Sequence, residues 1–387
     1  MEKLGIATVY TGYNYGSALQ AFAIQIVLER IGYEAVILTR SNLLTCGRNI
    51  WIGKILHLGI RGLVHPLALA KTLLGYQNGP QHKISKTIKH MFIEFWEKNL
   101  NIEKSSWSQL QKFSHDPTIT ACICGSDQIW NASNLYIDPI FFLRFAPQEK
   151  RIAYAPSFGK ESIPMYNRCK MKKWINEIPL LSVREQKGAE IIEQLTGKQV
   201  PVVLDPTLLL TKDDWATVIQ SNPPVNIDKA KPYVLLYFLN EPSAEAENYI
   251  HLLSNEGIFM IAVPYLYNSM KRFPSILSVD AGPSEFLWLI EHSSSVCTDS
   301  FHGTAFSLNF NVPFLTFRRS YGVASNQSSR ILSLLDSVQL QSQYIHCKNQ
   351  TIHTLLPSDF RHATALLNSE REKSIDFIMQ SINFVRK

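Results

Sequence analysis

No charge-free apolar run of the roughly eighteen residues needed to span a bilayer occurs in this 387-residue chain, so no transmembrane helix is expected. No secretory leader is expected either. Met1-Glu2-Lys3 runs straight into an apolar strand pattern, without a basic region, an apolar stretch and a small-residue cleavage site. Cysteine is sparse: Cys46, Cys122, Cys124, Cys169, Cys297 and Cys347 are scattered. Cys122 and Cys124 alternate on one strand-like run and read as small buried apolar groups, because no second ligand pair lies near them to make a metal site. These absences point to a reduced, cytoplasmic protein, in which the sequons at Asn131, Asn326 and Asn349 carry no glycan. No metal and no resident cofactor are expected. There is no GxGxxG fingerprint and no Walker lysine, which removes the usual dinucleotide and ATP sites. The net charge of +6 comes with no RNA- or DNA-binding motif, so nucleic acid is not an expected partner. Solenoid repeats and low-complexity tracts are absent too.

What is present is a globular composition, 45% apolar and 18% charged, in a chain long enough for two or three domains. Strand Leu4–Tyr10, a turn with Asn14 and Gly16, helix Ser17–Ile31 and strand Glu34–Thr39 form a βαβ unit, which requires a parallel sheet. Residues 45–115 break this rhythm with helical, basic and aromatic sequence, holding ten Lys or Arg against three Glu. Such local basicity favours an anionic partner, a membrane surface or a phosphorylated substrate. The Trp51–Leu74 stretch reads equally as a membrane-surface segment or a helical lid.

Alternation resumes with strands at Ile119–Cys124, Arg151–Ala155, Leu180–Val183 and Val200–Leu204. Helices at Met165–Glu177 and Lys187–Leu195 lie between them. Asn222-Pro223-Pro224 reads as a hinge. A second series follows: strands Tyr233–Leu239, Ile258–Val263, Ser295–Thr298 and Phe314–Phe317, with helices Ser243–Ser254, Pro283–Glu291, Thr304–Phe310, Ser329–Leu335 and Arg371–Val385. The expected architecture is α/β, two Rossmann-like domains (1–209 and 210–387) with parallel sheets facing a central cleft. The last helix is placed as packing back across them.

Ligands of open α/β sheets bind beyond the carboxyl ends of strands, and three such places are rich in small and polar residues. Thr298-Asp299-Ser300-Phe301-His302-Gly303-Thr304 ends a strand and opens a helix, whose free N–H groups suit phosphate, while a histidine there suits proton transfer. An ordinary helix cap with a packed histidine is the competing reading. Asn14-Tyr15-Gly16-Ser17 and Gly125-Ser126-Asp127-Gln128 occupy similar turns, with Asp127 either orienting a sugar hydroxyl or capping the turn. Arg184 is an anion clamp or the partner of Glu185 or Asp205. Arg318, Arg319 and Arg330 follow later strand ends and are further anion-binding candidates.

Taken in order, six segments resemble the polysaccharide pyruvyl transferase family: Asn14–Gln20, Gly125–Trp130, Tyr154–Gly159, Ser182–Glu185, Leu204–Thr207 and Asp299–Phe306. The resemblance implies a GT-B-like fold and transfer of a pyruvate ketal from phosphoenolpyruvate to a sugar of a surface polysaccharide precursor, with release of phosphate. It further implies an acceptor carried on a polyprenyl diphosphate, which would suit the basic 45–115 segment as a peripheral contact with the inner face of the membrane. His302 and Asp299 are then the expected catalytic residues. Arg184, Ser300, Gly303, Thr304, Arg318, Arg319 and Arg330 are expected at the donor, and Asn14, Tyr15, Gly16, Ser126, Asp127 and Gln128 at the acceptor or cleft. Several relatives carry Arg-Leu-His where this chain has Ser300-Phe301-His302, so another arginine must supply that charge. The alternatives are a nucleotide-sugar glycosyltransferase, for which Glu285 is the sole base-or-ribose candidate, and a non-catalytic subunit of polysaccharide assembly.

Overall fold

Short runs of Ile, Val, Leu, Ala and Cys, buried on both faces, build the strands, as a parallel sheet covered by helices on each side requires. The computed structural model describes residues 2–40, 58–60, 62–67, 69–70, 84–133, 135–219, 224, 227, 231–263, 273, 275–319, 328–347 and 350–386. The first sheet contains β1 (Lys3–Ala7), β2 (Glu34–Arg40), β3 (Ile102–Ser105), β4 (Ile119–Cys124), β5 (Arg151–Ala153) and β6 (Leu180–Leu181), in the order β3-β2-β1-β4-β5-β6. The second contains β7 (Val234–Tyr237), β8 (Met260–Ala262), β9 (Leu277–Ser278), β10 (Ser295–Thr298), β11 (Phe314–Phe317) and β12 (Tyr344–Ile345), in the order β12-β11-β10-β7-β8-β9. Counted from its own first strand, each sheet has the same doubly wound order, and all pairings between these strands are parallel. The winding reverses between β1 and β4 and again between β7 and β10, which is where such folds open a crevice.

Several elements differ from the sequence expectations for local reasons. Val200–Leu204 contributes only an isolated bridge, Val183 to Val202. β3, with the sequence Ile-Glu-Lys-Ser, is too polar to advertise itself as a strand and occupies a sheet edge. Helices Lys86–Asn99 and Trp107–His115 lie inside the segment that broke the rhythm, each capped by a serine. The closing helix is twice the expected length, Pro357–Arg386. Of the hinge expected at Asn222-Pro223-Pro224, the first two residues lie outside the described ones, as do residues 51–57, 61, 68 and 71–74 of the expected lid or membrane-surface segment.

Aromatic packing joins the two sheets' layers. Tyr15, at the start of helix Tyr15–Arg30, stacks on Phe286 of helix Pro283–Glu291 at 4.4 Å between centroids, and its hydroxyl donates to Ala281 O at 2.8 Å. Phe92 of helix Lys86–Asn99 lies 5.1 Å from Tyr15. Each such aromatic pair adds about 0.5–1.5 kcal/mol beyond its buried area. The closing helix also ties the layers: Arg371 donates to Leu208 O and to Asn309 Oδ1, and Ser374 Oγ accepts from Leu204 N.

Candidate functional site

Both reversal points carry a sequence motif. At the first, β1 leads to Asn14, whose side chain accepts from Ser17 N and starts helix Tyr15–Arg30, while β4 leads to Gly125-Ser126-Asp127. At the second, β7 leads to Leu239 and Asn240, and β10 leads to Asp299-Ser300. The helix there is Phe301–Phe310, three residues longer at its start than the sequence suggested, because Ser300 is the N-cap and accepts from Gly303 N. His302 therefore stands in the first helical turn, buried.

The two points face each other. A Cβ on Gly16 would lie 1.9 Å from His302 Nδ1 and 2.3 Å from Cε1, so the imidazole rests against the bare backbone of the first turn of the other layer. Gly16→Ala should therefore push His302 aside. A displacement near 1 Å costs on the order of 10²-fold in turnover, and steady-state kinetics checks it. An alanine variant of full activity would mean the contact does not hold the imidazole.

Around His302 the charges are nested. Asp205, 1% exposed, sits 3.9 Å from His302 Nε2 and forms an ion pair with the equally buried Arg184. It also accepts from Ser126 Oγ at 2.8 Å and from Thr207 N and Oγ1 at 3.0 and 2.7 Å. Asp127 accepts from Ser17 Oγ at 2.5 Å and lies 3.7 Å from Arg184 Nη2. Arg184 stacks over Phe301 at 4.6 Å, and Arg330 approaches the same ring at 5.9 Å. With its amide oxygen turned toward Arg330, Gln128 accepts from both terminal nitrogens at 2.9 and 3.0 Å. Glu185 accepts from Ser157 Oγ, Phe158 N and Gly159 N through one oxygen.

Four buried polar atoms in this cluster have no hydrogen-bond partner among the described residues: Arg184 Nε and Nη2, Glu185 Oε2 and His302 Nε2. Leaving a buried donor or acceptor unmet costs about 1–3 kcal/mol each, more for charged groups, so such a concentration marks a place built for a ligand. Burial, together with Arg184 and Arg330, outweighs Asp205 and Asp127 and pushes the His302 pKa down to about 4. The ring is neutral near pH 7 and able to accept a proton. Burial opposes the charged form of Asp205, but Arg184, His302 and Thr207 overcome it and hold that carboxyl below its ordinary range. Burial and Arg184 lower Arg330 to about 10.

The other expected site residues are placed differently. Asp299 accepts from Leu239 N (2.7 Å), Asn240 N (3.3 Å) and Arg319 Nε (3.0 Å), which ties the ends of β7 and β10 together. Arg319 is drawn toward Asp299 by two bonds, the second to its carbonyl, and Arg318 is exposed. Thr304 Oγ1 bonds to Ser300 O and Thr316 Oγ1. A Cβ on Gly303 would meet Thr298 Oγ1 at 2.5 Å, so this glycine serves the packing of helix on strand. Tyr15 belongs to the aromatic seam. Glu285 accepts from Gly282 N and caps its own helix.

Sequence reasoning assigned no site role to Asp205, Glu185, Ser157 or Phe301. Asp205-Pro206-Thr207 reads as the end of the first half of the chain, and in the structure Asp205 caps the turn Pro206–Leu209. Its pairing with Arg184 is the competing reading given for that arginine, whereas its place beside His302 has no signal in the sequence.

Two doubly wound domains with a polar cluster between their reversal points define the GT-B-like class. The profile of the polysaccharide pyruvyl transferase family matches residues 14–321, and the chain belongs to that family. A search of curated proteins gives no significant match. Among solved structures, the chain is similar to a protein described as a UDP-N-acetylglucosamine 2-epimerase from Listeria monocytogenes (11% identity, 98% of this chain and 91% of that one, TM-score 0.50). It is also similar to MnaA of S. aureus solved with UDP (13% identity, 96% and 89%, TM-score 0.50). At these identities the likeness is one of fold.

Proposed function

We propose that the chain uses phosphoenolpyruvate to place a pyruvate ketal across two hydroxyls of a sugar in a polysaccharide precursor, releasing phosphate. The observation that carries this reading is the buried cluster in which His302 Nε2 and two nitrogens of Arg184 lack partners, inside a chain of this family. Arg184 and Arg330 supply the cationic surface for the donor's phosphate and carboxylate, with Phe301 beneath both guanidinium groups. They supply the positive charge that Ser300 lacks.

A proton added to the donor's methylene carbon makes it a methyl group and leaves an oxocarbenium-like centre. The first sugar hydroxyl attacks that carbon and gives up its proton, which restores the one supplied. Cleavage of the C–O bond releases phosphate. The second hydroxyl then closes the ketal, its proton leaving with phosphate or solvent. An anionic donor beside His302 raises its proton affinity, so the imidazole, protonated in the donor complex, can give its proton to the methylene carbon and take one back from the attacking hydroxyl. Asp205 stabilises the imidazolium. Asp127 and Gln128 are placed beside the acceptor.

Thermal melting with phosphoenolpyruvate, UDP-sugars and GDP-sugars tests the reading. Free donor at a hundred times its dissociation constant should stabilise the protein by about 2.7 kcal/mol, visible as a raised Tm. A rise with nucleotide sugars alone would assign the site to glycosyl transfer, and no rise with any of them would favour a non-catalytic role.

A further inference from the structure

The helical residues 58–60, 62–64, 66–67 and 69–70, interrupted at His65 ahead of Pro66, expose four large aliphatic side chains. Ile60 is 66% exposed, Leu63 87%, Val64 71% and Leu67 81%. Water-facing aliphatics this close together signal a surface that meets something apolar. The neighbouring element fixes what that is. His65 lies 5.5 Å from the ring of Tyr166, at the start of helix Met165–Asn176, whose first residue, Met165, is 80% exposed. This helix carries Arg168, Lys170, Lys172 and Lys173 and no acidic residue. Lys170 is drawn over Trp174 at 4.6 Å, while Arg168, Lys172 and Lys173 are exposed.

An apolar patch flanked by basic residues matches an anionic bilayer, whose acyl boundary takes the aliphatic groups and whose headgroups take the cations. A protein partner of similar hydrophobicity would leave the three exposed positive charges of this helix unexplained. We infer that the face formed by Ile60, Leu63, Val64, Leu67 and Met165 docks this protein on an anionic lipid surface.

The position of this face gives the docking a purpose. Tyr166 Oη donates to Ser133 O at 2.6 Å and Asn167 Nδ2 to Ala132 O at 2.9 Å, so the basic helix is fastened to the loop after Trp130. That loop lines a cavity of about 480 Å³ with Gln128, Asn131, Ser133, Tyr136 and Lys160. Gln128 in turn contacts Arg330 beside Phe301 and His302. A polar cavity thus lies between Gln128, which contacts Arg330, and the loop to which the basic helix is fastened. On the reading proposed above, it admits a sugar acceptor whose lipid carrier stays in the bilayer.

The test is flotation of the full chain with phosphatidylcholine vesicles and with vesicles of phosphatidylcholine and phosphatidylglycerol, without phosphoenolpyruvate. The wild type should float with the anionic vesicles only. Leu63→Glu with Leu67→Glu should weaken binding at least tenfold. Lys172→Gln with Lys173→Gln should weaken it by roughly fivefold per neutralised residue, and added salt should mimic that effect. All four side chains being solvent-facing, circular dichroism and Tm should not change. Absence of flotation, or flotation indifferent to both pairs, overturns the inference. So does a concentration-dependent dimer, seen by sedimentation, that the leucine substitutions abolish, since that gives the patch to a second copy. Because no donor is present, these outcomes are separate from donor melting: vesicle binding with no donor stabilisation would keep the docking face and discard the pyruvyl reading.

Discussion

Asp205→Ala should destabilise the folded chain by about 3–5 kcal/mol, the usual result of leaving one member of a buried ion pair without the other. The guanidinium of Arg184 would then be a buried cation whose remaining ion-pair partner, Asp127, lies 3.7 Å away; Thr207 would lose its acceptor and Ser126 one of two. At roughly 2–4 °C per kcal/mol for a domain of this size, Tm should fall on the order of 10 °C. Chemical denaturation followed by far-UV circular dichroism measures it directly. A loss below about 1 kcal/mol would mean that water or another carboxylate substitutes for Asp205, and the nested arrangement would need redrawing. Arg184→Leu combined with Asp205→Leu is the informative companion. Removing both charges should recover most of the stability, since the desolvation cost of each disappears with it. Activity should not return with it, because the donor's clamp is gone. Stability and turnover would part company in the double variant, which separates the two roles of one ion pair.

The second large effect is expected at His302. His302→Gln should fold and lose at least about 10²-fold in phosphate release from phosphoenolpyruvate, the lower scale for a general acid–base group. Near-native turnover would remove His302 from the mechanism. Its titration gives an independent check. The unfolded chain takes up a proton at this histidine near pH 6.5, and the folded chain only near pH 4. Stability from the neutral buried ring is therefore complete above pH 6.5 and is lost as pH falls toward 4. The full span is worth about 3 kcal/mol. Asp205 behaves in the ordinary carboxylate sense and loses most of its contribution below pH 4, so the upper part of the window reports on His302. Denaturation midpoints measured between pH 7 and 4 should fall for the wild type, and fall less for His302→Gln. Equal slopes in both proteins would show that His302 is not held neutral.

Much of this site was readable before any coordinates. The turn at Asp299–Thr304, the anion-clamp candidate Arg184 and the motif around Asp127 all sit at strand ends where α/β sheets place ligands, although a helix cap, an ion pair and a turn cap account for the same residue types. What was not readable depends on pairs far apart in the chain. Asp205 was legible as a candidate partner of Arg184, but nothing in its neighbourhood reports that His302 also stands beside it. Asp299 is the converse. Its sequence context suggested proton chemistry, but three N–H donors meet its carboxylate, a fact set by the end of β7 and by Arg319. Gly16 reads as a turn and cleft residue, but the sequence does not report that its missing side chain makes room for a histidine far along the chain. Strand β3 escaped notice because an edge strand can be polar, whereas β4, buried on both faces, could not hide.

The bond between Leu204 N and Ser374 Oγ has a bearing on how the protein is made. The two residues are 170 positions apart, and the residue after Leu204 is Asp205. At the ribosome's usual pace of roughly 5–20 residues per second, that interval lasts about 10–30 s. Throughout it the segment carrying the central carboxylate lacks one of its anchors, and Leu208 O and Asn309 Oδ1 await Arg371. The nascent chain can assemble its first sheet during this time. The bonds that the last helix makes to Leu204, Leu208 and Asn309 form only when that helix folds back, so this part of the cluster's support is the last to be added.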